Sequence, residues 1–253
     1  MDVLGIAALV TGGGSGMGAE TGRHLARAGA KVALLDVNLA GAEAVAAEIG
    51  GIALACDVSD PASAEAAVAQ ARAAHGPARV LVNCAGIATG GRLVGRDGPH
   101  DFGLFAKTIA VNLTGSFNML RLAAADMVGL EPLADGERGL VVNTASVAAF
   151  DGQIGQCAYS ASKGGIVGMT LPAARELARF GVRVVTIAPG IMETPMMAGL
   201  SAEVQASLAA QIPFPSRLGR PDEYARLVMH IADNMLINGE TIRLDGAIRM
   251  APK

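Results

Sequence analysis

The sequence predicts a doubly wound α/β domain built on a mostly parallel sheet. Short apolar runs, each ended by Gly, Asn or Asp, alternate along the chain with longer helix-like stretches. Such continuous apolar runs are typical of parallel strands that are buried on both faces. The chain has 253 residues, enough for one large domain, and shows no second core. Because strands that alternate with helices form right-handed βαβ units, we expect a single domain over residues 1–253.

The predicted elements follow one another in a regular order. Strands are expected at residues 6–10, 31–35, 52–55, 79–82, 139–144, 182–187 and 240–244. Helices are expected at residues 19–28, 40–49, 61–74, 107–127, 159–180 and 221–232. Three long stretches, 87–101, 129–139 and 191–215, interrupt this rhythm. Long loops in a compact domain are usually functional, so we expect the apolar, methionine-rich stretch at about 191–215 to form the substrate loop. The alternative for this stretch is a pair of helices that packs against the core.

The composition argues against several classes of protein. A net charge of −3, no tryptophan and 3% aromatic residues give neither a basic surface nor a stacking platform for nucleic acid. Although 51% of the residues are hydrophobic, no apolar run approaches the roughly 18 residues that span a membrane. The three cysteines lack metal-ligand spacing, so we expect buried, reduced thiols and no metal. We find no targeting stretch and expect a cytoplasmic protein.

A glycine-rich turn follows the first predicted strand and opens the first helix. It reads Thr-Gly-Gly-Gly-Ser-Gly-Met-Gly over residues 11–18. Gly12 permits a sharp turn, Gly16 lets the backbone approach a pyrophosphate, and Gly18 allows close packing of helix on strand. Such glycines alone also occur in ordinary turns, but the strand–turn–helix context indicates a dinucleotide site in a Rossmann-type domain.

An acidic residue at the end of the second predicted strand indicates which dinucleotide binds. Asp36 lies where a carboxylate accepts hydrogen bonds from the adenosine ribose hydroxyls and repels the 2′-phosphate of NADP. Val37 supplies no compensating cation. The alternative is an aspartate that only caps a turn. We predict NAD as the cofactor.

Two further strand ends supply candidate cofactor contacts. Asp57 and Val58 follow the third predicted strand, and the run Asn83, Cys84, Ala85 and Gly86 follows the fourth. Open α/β sheets bind ligands at the carboxyl ends of their strands, which favours a binding role. Each segment is equally compatible with a turn that only terminates its strand.

A tyrosine and a lysine share one face of a predicted helix. Tyr159 and Lys163 are four residues apart, and Ser146 lies just beyond the fifth predicted strand. A free tyrosine has a pKa near 10, and a nearby ammonium favours the phenolate. Ser146 is small enough to hydrogen-bond a substrate carbonyl. We predict that these three side chains exchange a proton with the substrate; on an unrelated helix a Tyr–Lys pair is usually only a surface feature.

Together these motifs resemble the short-chain dehydrogenase/reductase family from the first strand to the C-terminus. The resemblance rests on the 83–86 run, Ser146, the run Tyr-Ser-Ala-Ser-Lys at 159–163, and Pro189-Gly190. It implies that Ser146, Tyr159 and Lys163 are catalytic and that Asn112 holds a water in the proton relay. Asn112 is equally compatible with a buried amide that satisfies backbone groups. The cofactor contacts that the resemblance implies are Ser15, Met17, Asp36, Asp57, Val58, Cys84, Tyr159, Lys163, Met192 and Thr194.

Longer runs narrow the expected substrate. Residues 145–150, 158–172, 213–219 and 244–250 are similar to the branch of this family that oxidises 3-hydroxyacyl-CoA in fatty acid metabolism. Met192 stands where that branch has an aromatic residue, and the 87–101 loop also differs. We expect oxidation of (S)-3-hydroxyacyl-CoA to 3-oxoacyl-CoA, with Arg92 and Arg96 as candidate contacts to CoA phosphates. A solvated loop would explain these two arginines at least as well.

Several alternatives stay open at this point. The substrate is expected to be a small molecule, either an acyl-CoA or a hydroxysteroid or other secondary alcohol. A non-catalytic NAD-binding regulator or scaffold would keep the glycines but usually lose the catalytic side chains. The resemblance also implies a homotetramer, although burial within one subunit would explain the same apolar helices.

Overall fold

The computed structural model describes residues 1–96, 98–194, 197 and 201–252. Its strands, in chain order, are β1 Ala7–Thr11, β2 Lys31–Asp36, β3 Ile52–Ala55, β4 Val80–Asn83, β5 Val94–Gly95, β6 Gly98–Pro99, β7 Gly139–Thr144, β8 Val182–Pro189 and β9 Thr241–Leu244. Its helices are α1 Gly16–Arg27, α2 Leu39–Ile49, α3 Pro61–His75, α4 Phe102–Ile109, α5 Gly115–Met127, α6 Cys157–Ala178, α7 Ala202–Ala210 and α8 Pro221–Asp233.

Within the described chain, seven strands form one parallel sheet in the order β3-β2-β1-β4-β7-β8-β9. The strand order reverses between β1 and β4, which pair through Ala8–Val80 to Thr11–Asn83. The predicted doubly wound α/β fold is therefore confirmed. At this reversal the loops that follow β1 and β4 turn to opposite faces, leaving a crevice at the carboxyl ends of the strands.

Alternating side chains of the strands enter two separate cores. Val10 and Leu34 pack in the core that also holds Leu25 of α1 and Tyr224 of α8. Leu9, the residue before Val10 on β1, points to the other face, where Met119 of α5 is buried. Burying an aliphatic side chain of this size stabilises the fold by about 1.5–3 kcal/mol. The two cores explain why the strands are apolar on both faces.

The long helical region is one continuous path with a wider turn inside it. A π-helical turn, Ala110–Thr114, joins α4 to α5, so the helical region begins at Phe102 rather than at the predicted residue 107. Asn112 lies inside that turn and is fully buried. Such turns often occur at functional sites because the extra residue shifts side chains relative to the regular helix.

Two of the predicted loops contain regular structure. The 87–101 stretch carries the hairpin of β5 and β6, which pair antiparallel. The 191–215 stretch contains α7, whose first turn is capped by Ser201 as its hydroxyl accepts from the Val204 N–H at 3.4 Å. Of the remainder, Pro195, Met196 and residues 198–200 lie outside the described residues.

Three arginines lie at the amino ends of neighbouring strands and bind carbonyls near the ends of helices. Arg79, before β4, donates to Glu131 O at 2.7 Å, and Arg138, before β7, donates to Leu130 O at 2.7 Å and Phe180 O at 3.0 Å. Arg183 of β8 is buried. It donates to Ile231 O, Ala232 O, Asn234 O and Ile237 O and pairs with Glu137 at 2.7 Å. These bonds satisfy carbonyls that a helix terminus leaves without a partner.

The cysteines are free thiols, as expected, but they are not all buried. Cys56 is buried, Cys84 is half-buried, and Cys157 is exposed. The expectation was wrong for Cys157 because it is the first residue of α6, at the surface. None of the helices in the described part of the chain is both long and apolar enough to cross a membrane.

Candidate active site

The glycine-rich turn brings the chain after β1 against the chain after β4. Gly12 has a φ of 65°, and a Cβ there would lie 2.8 Å from Ala85 N. The hydroxyl of Thr11 accepts from Cys84 N and Ala85 N, each at 3.1 Å. A side chain at position 12 would separate these loops. α1 then begins at Gly16, so its free N–H groups stand at the crevice, where an anion is stabilised.

Asp36 is fixed beside this turn by both of its carboxylate oxygens. Oδ2 accepts from Gly14 N at 2.8 Å, and Oδ1 accepts from Asn38 N at 2.8 Å. The residue is half-buried, and Val37 is exposed. A carboxylate has further lone pairs for two hydroxyl donors. Asp36 therefore forms an acidic, pre-oriented edge next to the glycine turn.

Of the other predicted cofactor contacts, some are exposed and some are buried. Asp57 is exposed, and Val58 is buried with its carbonyl accepting from Asn118 Nδ2 at 3.0 Å. The Asn83 side chain is buried and donates to Ser116 O and Asn143 Oδ1, so it joins β4 to α5 and β7. The amide of Asn83 therefore has a structural role. Ser15, which precedes α1, is exposed like Asp57.

A cleft of about 300 Å³ opens at the carboxyl ends of β4, β7 and β8. Of the residues predicted as cofactor contacts, it brings together Met17, Cys84, Gly86, Tyr159, Lys163, Pro189, Gly190, Met192 and Thr194, with Ser146 beside them. Asp36, Asp57 and Val58 do not line it, because they lie at the carboxyl ends of β2 and β3, on the far side of β1. The crevice thus runs from an acidic end at Asp36 to a cleft that contains the tyrosine.

Tyr159 and Ser146 both line this cleft. Burial raises the pKa of Tyr159, and the hydrogen bond from Ser146 partly opposes that rise. The Ser146 hydroxyl also accepts from Ala148 N at 3.1 Å, which fixes the direction of its side chain. Because both residues line the same cleft, we expect one substrate oxygen to contact both hydroxyl groups.

Lys163 lies directly behind the tyrosine. Its Nζ is 5.8 Å from the centre of the Tyr159 ring and donates to Thr144 O at 2.8 Å. Burial lowers the pKa of Lys163 to about 8. Desolvation therefore favours the neutral form of both groups, while their proximity favours a charged pair. A phenolate at Tyr159 depends on the lysine keeping its ammonium in place.

The side chain of Asn112 joins Ile87, which lines the cleft, to Ser162 of α6. Its Oδ1 accepts from Ile87 N at 2.8 Å, and its Nδ2 donates to Ile87 O at 2.9 Å and to Ser162 Oγ at 3.0 Å. The Ser162 hydroxyl donates in turn to Tyr159 O at 2.7 Å. The side-chain amide therefore satisfies backbone and hydroxyl groups, as the structural alternative expects. Its role in a proton relay stays a prediction.

The far wall of the cleft is mostly apolar. Its apolar side chains include Val147, Ile191, Met192, Met197, Leu208 and Met250. Part of the predicted substrate loop does face the cleft. Phe214 does not, since it is 83% exposed, and Arg92 and Arg96 are exposed on the β5–β6 side without lining the cleft.

Comparison with known proteins decides the family. A family model described as short chain dehydrogenase matches residues 6–205. The chain belongs to the short chain dehydrogenase family. The expected family is confirmed, and the chain is an oxidoreductase that works with a nicotinamide cofactor.

Relatives within the short chain dehydrogenase family cover almost the whole chain. The chain is 51% identical over 254 residues to the 3-hydroxyacyl-CoA dehydrogenase type-2 of Bos taurus and 50% identical to that of Homo sapiens. Each comparison covers 99% of this chain and 97% of the relative. The crystal structure of 3-hydroxyacyl-CoA dehydrogenase type-2 from Mycobacterium avium superimposes with a TM-score of 0.94 at 44% identity and covers 98% of both chains.

The residues that line the cleft of this short chain dehydrogenase and that sequence reasoning did not assign to the site include Thr144, Gln153, Gln156 and Met250. Thr144 ends β7, a position that the strand-end argument applied to the other strands would have flagged. Gln153 donates to Ala251 O at 2.9 Å, and its backbone N–H donates to Gln156 at 3.0 Å. The two glutamines and Met250 come together only through the tertiary path of the C-terminal segment, so no local pattern marks them.

Proposed function

We propose that this enzyme oxidises (S)-3-hydroxyacyl-CoA to 3-oxoacyl-CoA with NAD. The observation that carries the proposal is the placement of the Ser146 and Tyr159 hydroxyls, backed by Lys163, at the end of an apolar cleft. An acyl thioester presents a secondary alcohol close to an apolar chain, which matches this arrangement. The names of relatives that are about half identical over nearly the full length support the same substrate class.

The residues of the crevice fit NAD better than NADP. The turn at Gly12 and the start of α1 suit a pyrophosphate, and Asp36 suits the two free hydroxyls of an adenosine ribose. A 2′-phosphate there would meet the carboxylate at close range and without a nearby cation at Val37. The cofactor, when bound, supplies the hydride acceptor.

The proton chemistry belongs to the protein. Tyr159, as the phenolate, removes the proton from the substrate hydroxyl while the carbinol C–H bond gives up its electron pair as hydride, and the C=O bond forms. The Ser146 hydroxyl donates to the substrate oxygen and holds it against the Tyr159 oxygen. The Lys163 ammonium stabilises the phenolate and offers hydrogen bonds to the ribose nearest the reaction. Positioned proton transfer of this kind contributes roughly 10²- to 10⁴-fold in rate.

The first experiment compares kcat/KM for acetoacetyl-CoA with kcat/KM for a 17-ketosteroid, following NADH consumption. We expect the thioester to be preferred. A higher kcat/KM for the steroid would assign the cleft to hydroxysteroids instead. NADH binding without turnover of either ketone would replace the proposal with a non-catalytic regulator.

We also propose that the enzyme assembles as a homotetramer. Phe117 on α5 is 54% exposed and Leu171 on α6 is 44% exposed, which leaves apolar area on two long helices at the surface. Light scattering coupled to size-exclusion chromatography measures the molar mass directly. A monomer mass at micromolar concentration would contradict the proposal.

A further inference from the structure

The carbonyl that holds Lys163 lies one residue beyond the last pair of β4 with β7, while Thr144 still pairs with Ile187 of β8 on the other side. β4 and β7 pair through Asn83–Asn143, and Thr144 is the next residue on β7. The next backbone N–H groups on the β4 side, those of Cys84 and Ala85, turn away and donate to Thr11. The Thr144 carbonyl accepts from the Lys163 ammonium at 2.8 Å instead. The position of the ammonium therefore depends on what fixes Thr144.

A second tyrosine fixes Thr144 from the opposite side. Tyr224, in the first turn of α8, is fully buried, and its hydroxyl oxygen is 2.6 Å from Thr144 Oγ1. The Cys84 thiol lies 3.6 Å from the Tyr224 hydroxyl, and Thr144 Oγ1 lies 3.8 Å from Cys84 Sγ. Tyrosine, threonine and cysteine can therefore close a ring in which each group donates once and accepts once. Such a closed ring leaves no buried donor unsatisfied.

Nothing in the packing of the aromatic ring itself requires the hydroxyl of Tyr224. The residue belongs to the apolar core formed with Val10, Leu34 and Val228, where a phenylalanine would fill the same space. A polar group in such a core costs free energy unless it is hydrogen-bonded. The hydroxyl is aimed at the one strand residue that carries the acceptor for Lys163.

We propose that Tyr224 is a positioning residue for Lys163, acting through Thr144 and Cys84 without touching the substrate. The inference rests on the proposed function, because it assigns Lys163 the role of stabilising the phenolate of Tyr159. The Tyr224 hydroxyl holds the Thr144 side chain, the strand end keeps its carbonyl on the ammonium, and the ammonium stays behind the Tyr159 ring.

The electrostatics around Lys163 make this placement matter. Burial lowers the pKa of Lys163 to about 8, and Cys84 opposes that shift. The groups that face the ammonium are the Tyr159 ring from α6, the Thr144 carbonyl from β7, Cys84 beyond β4, and the Asn112 side chain from the π-helical turn. The Thr144 carbonyl, when it accepts from Lys163, favours the charged ammonium. If this carbonyl moves away, the pKa of Lys163 falls further and the phenolate of Tyr159 becomes harder to form.

The test compares Tyr224→Phe with a control that loses a similar buried hydroxyl pair elsewhere. Thr170 Oγ1 on α6 and Thr186 Oγ1 on β8 are also buried and 2.6 Å apart, so Thr170→Val is the matched control. We expect Tyr224→Phe to lower kcat for the 3-hydroxyacyl-CoA on the order of 10-fold, less than the 10²-fold that an ångström of misplacement costs. The Kd for NADH should stay within twofold of the parent enzyme. In the profile of kcat/KM against pH, the limb on which activity rises with pH should move to higher pH.

The same variants carry a readout that needs no turnover. The chain contains four lysines, so the pKa of Lys163 can be followed by NMR of ¹³C-labelled lysine side chains, with Lys163→Arg assigning the signal. We expect the pKa of Lys163 to fall in Tyr224→Phe and to stay unchanged in Thr170→Val. This distinguishes the two hypotheses: a parent enzyme with no dehydrogenase activity overturns the proposed function, whereas an unmoved Lys163 pKa overturns the positioning role.

A double variant tests the route. Thr144→Val keeps the carbonyl but removes the hydroxyl that contacts Tyr224. If Tyr224 acts through Thr144, the combined variant should be no slower than the slower single variant, because both remove one interaction. Effects on kcat that multiply would overturn the route, as would equal kcat and pH profiles for Tyr224→Phe and Thr170→Val.

Discussion

The backbone N–H of Gly14 and the carboxylate of Asp36 are joined by a 2.8 Å hydrogen bond across the turn that follows β1. The bond ties the glycine turn to the end of β2. Under the proposed function, the same carboxylate that shapes the turn also selects the nucleotide.

Asp36→Ala should shift the cofactor preference towards NADP. Hydrogen bonds to a charged group contribute about 1.5–3 kcal/mol, so kcat/KM for NAD should fall roughly 10- to 150-fold. The value for NADP should fall less or rise, because the repulsion is removed. Steady-state kinetics with both cofactors measures the ratio. Glu43→Gln, which removes an exposed carboxylate from α2, is the control for net charge, and an unchanged NAD/NADP ratio in Asp36→Ala would contradict the assignment.

Tyr159→Phe should abolish most of the turnover and leave cofactor binding intact. The Tyr159 hydroxyl is the group that meets Ser146 in the cleft, and its removal takes away the proton acceptor. We expect kcat to fall by at least about 10²-fold. NADH fluorescence titration should give the Kd of the parent enzyme. Near-normal turnover in this variant would exclude Tyr159 as the proton acceptor.

Arg92 and Arg96 provide a test of CoA recognition. Both are exposed near the β5–β6 hairpin, outside the cleft that holds Tyr159. If their guanidinium groups bind CoA phosphates, the double substitution to alanine should raise KM for acetoacetyl-CoA and leave a short thioester without the nucleotide unaffected. An equal effect on both substrates would reject a role in CoA binding.

The ion pair between Glu223 and Arg217 should make the stability of the enzyme sensitive to acid. The pair has two hydrogen bonds, at 2.8 and 2.9 Å, and it lowers the pKa of Glu223 from 4.5 to about 2. A carboxylate with a lowered pKa stabilises the fold fully above its unfolded pKa, and this stability is lost as the pH falls from about 4.5 towards about 2. The Tm of Glu223→Gln should therefore fall less steeply over this range than that of the parent enzyme. Parallel Tm curves would exclude the contribution.

Arg183→Met should destabilise the fold strongly. Breaking a buried ion pair costs about 3–5 kcal/mol. Because Glu137 keeps the Met1 ammonium at 3.2 Å, we expect the lower end of that range, about 3 kcal/mol. Arg72→Met, which breaks a half-exposed pair with Asp126, should cost about 1 kcal/mol or less. Urea unfolding of both variants measures the loss in the free energy of unfolding. Equal losses would mean that burial does not increase the contribution of the Arg183 pair to stability.

The fold could be predicted closely from the sequence because each buried strand is marked locally. β3 and β7 begin and end at the predicted residues, and β8 is longer than predicted, ending at Pro189. The helix α7 was expected only through the alternative of a helix pair at 191–215, since Ala202–Ala210 is rich in alanine and has no clear apolar face. Propensity alone does not decide such a segment; its surroundings do.

The candidate catalytic side chains could be located from the sequence because they stand at strand ends or at helical spacing. The positions of Tyr159, Lys163 and Ser146 follow from that local logic. Tyr224 could not be found in this way, because it contacts Thr144, which is 80 residues away in sequence. Its neighbours on α8 also show only the pattern of an ordinary buried helix. Asn83 shows the opposite case: its strand-end position is real, yet its amide holds the helix and the sheet together.

The three arginines at the amino ends of β4, β7 and β8 have a consequence for the movements of the molecule. Their hydrogen bonds join helix termini to the amino ends of the strands, at the end of the sheet opposite the cleft. Opening the protein there must break several charged hydrogen bonds at once. Amide protons there should exchange with solvent more slowly than those around Met192 and Thr194. Under the proposed function, the amino ends of the strands would stay fixed while the loops at the carboxyl ends adapt to acyl chains of different length.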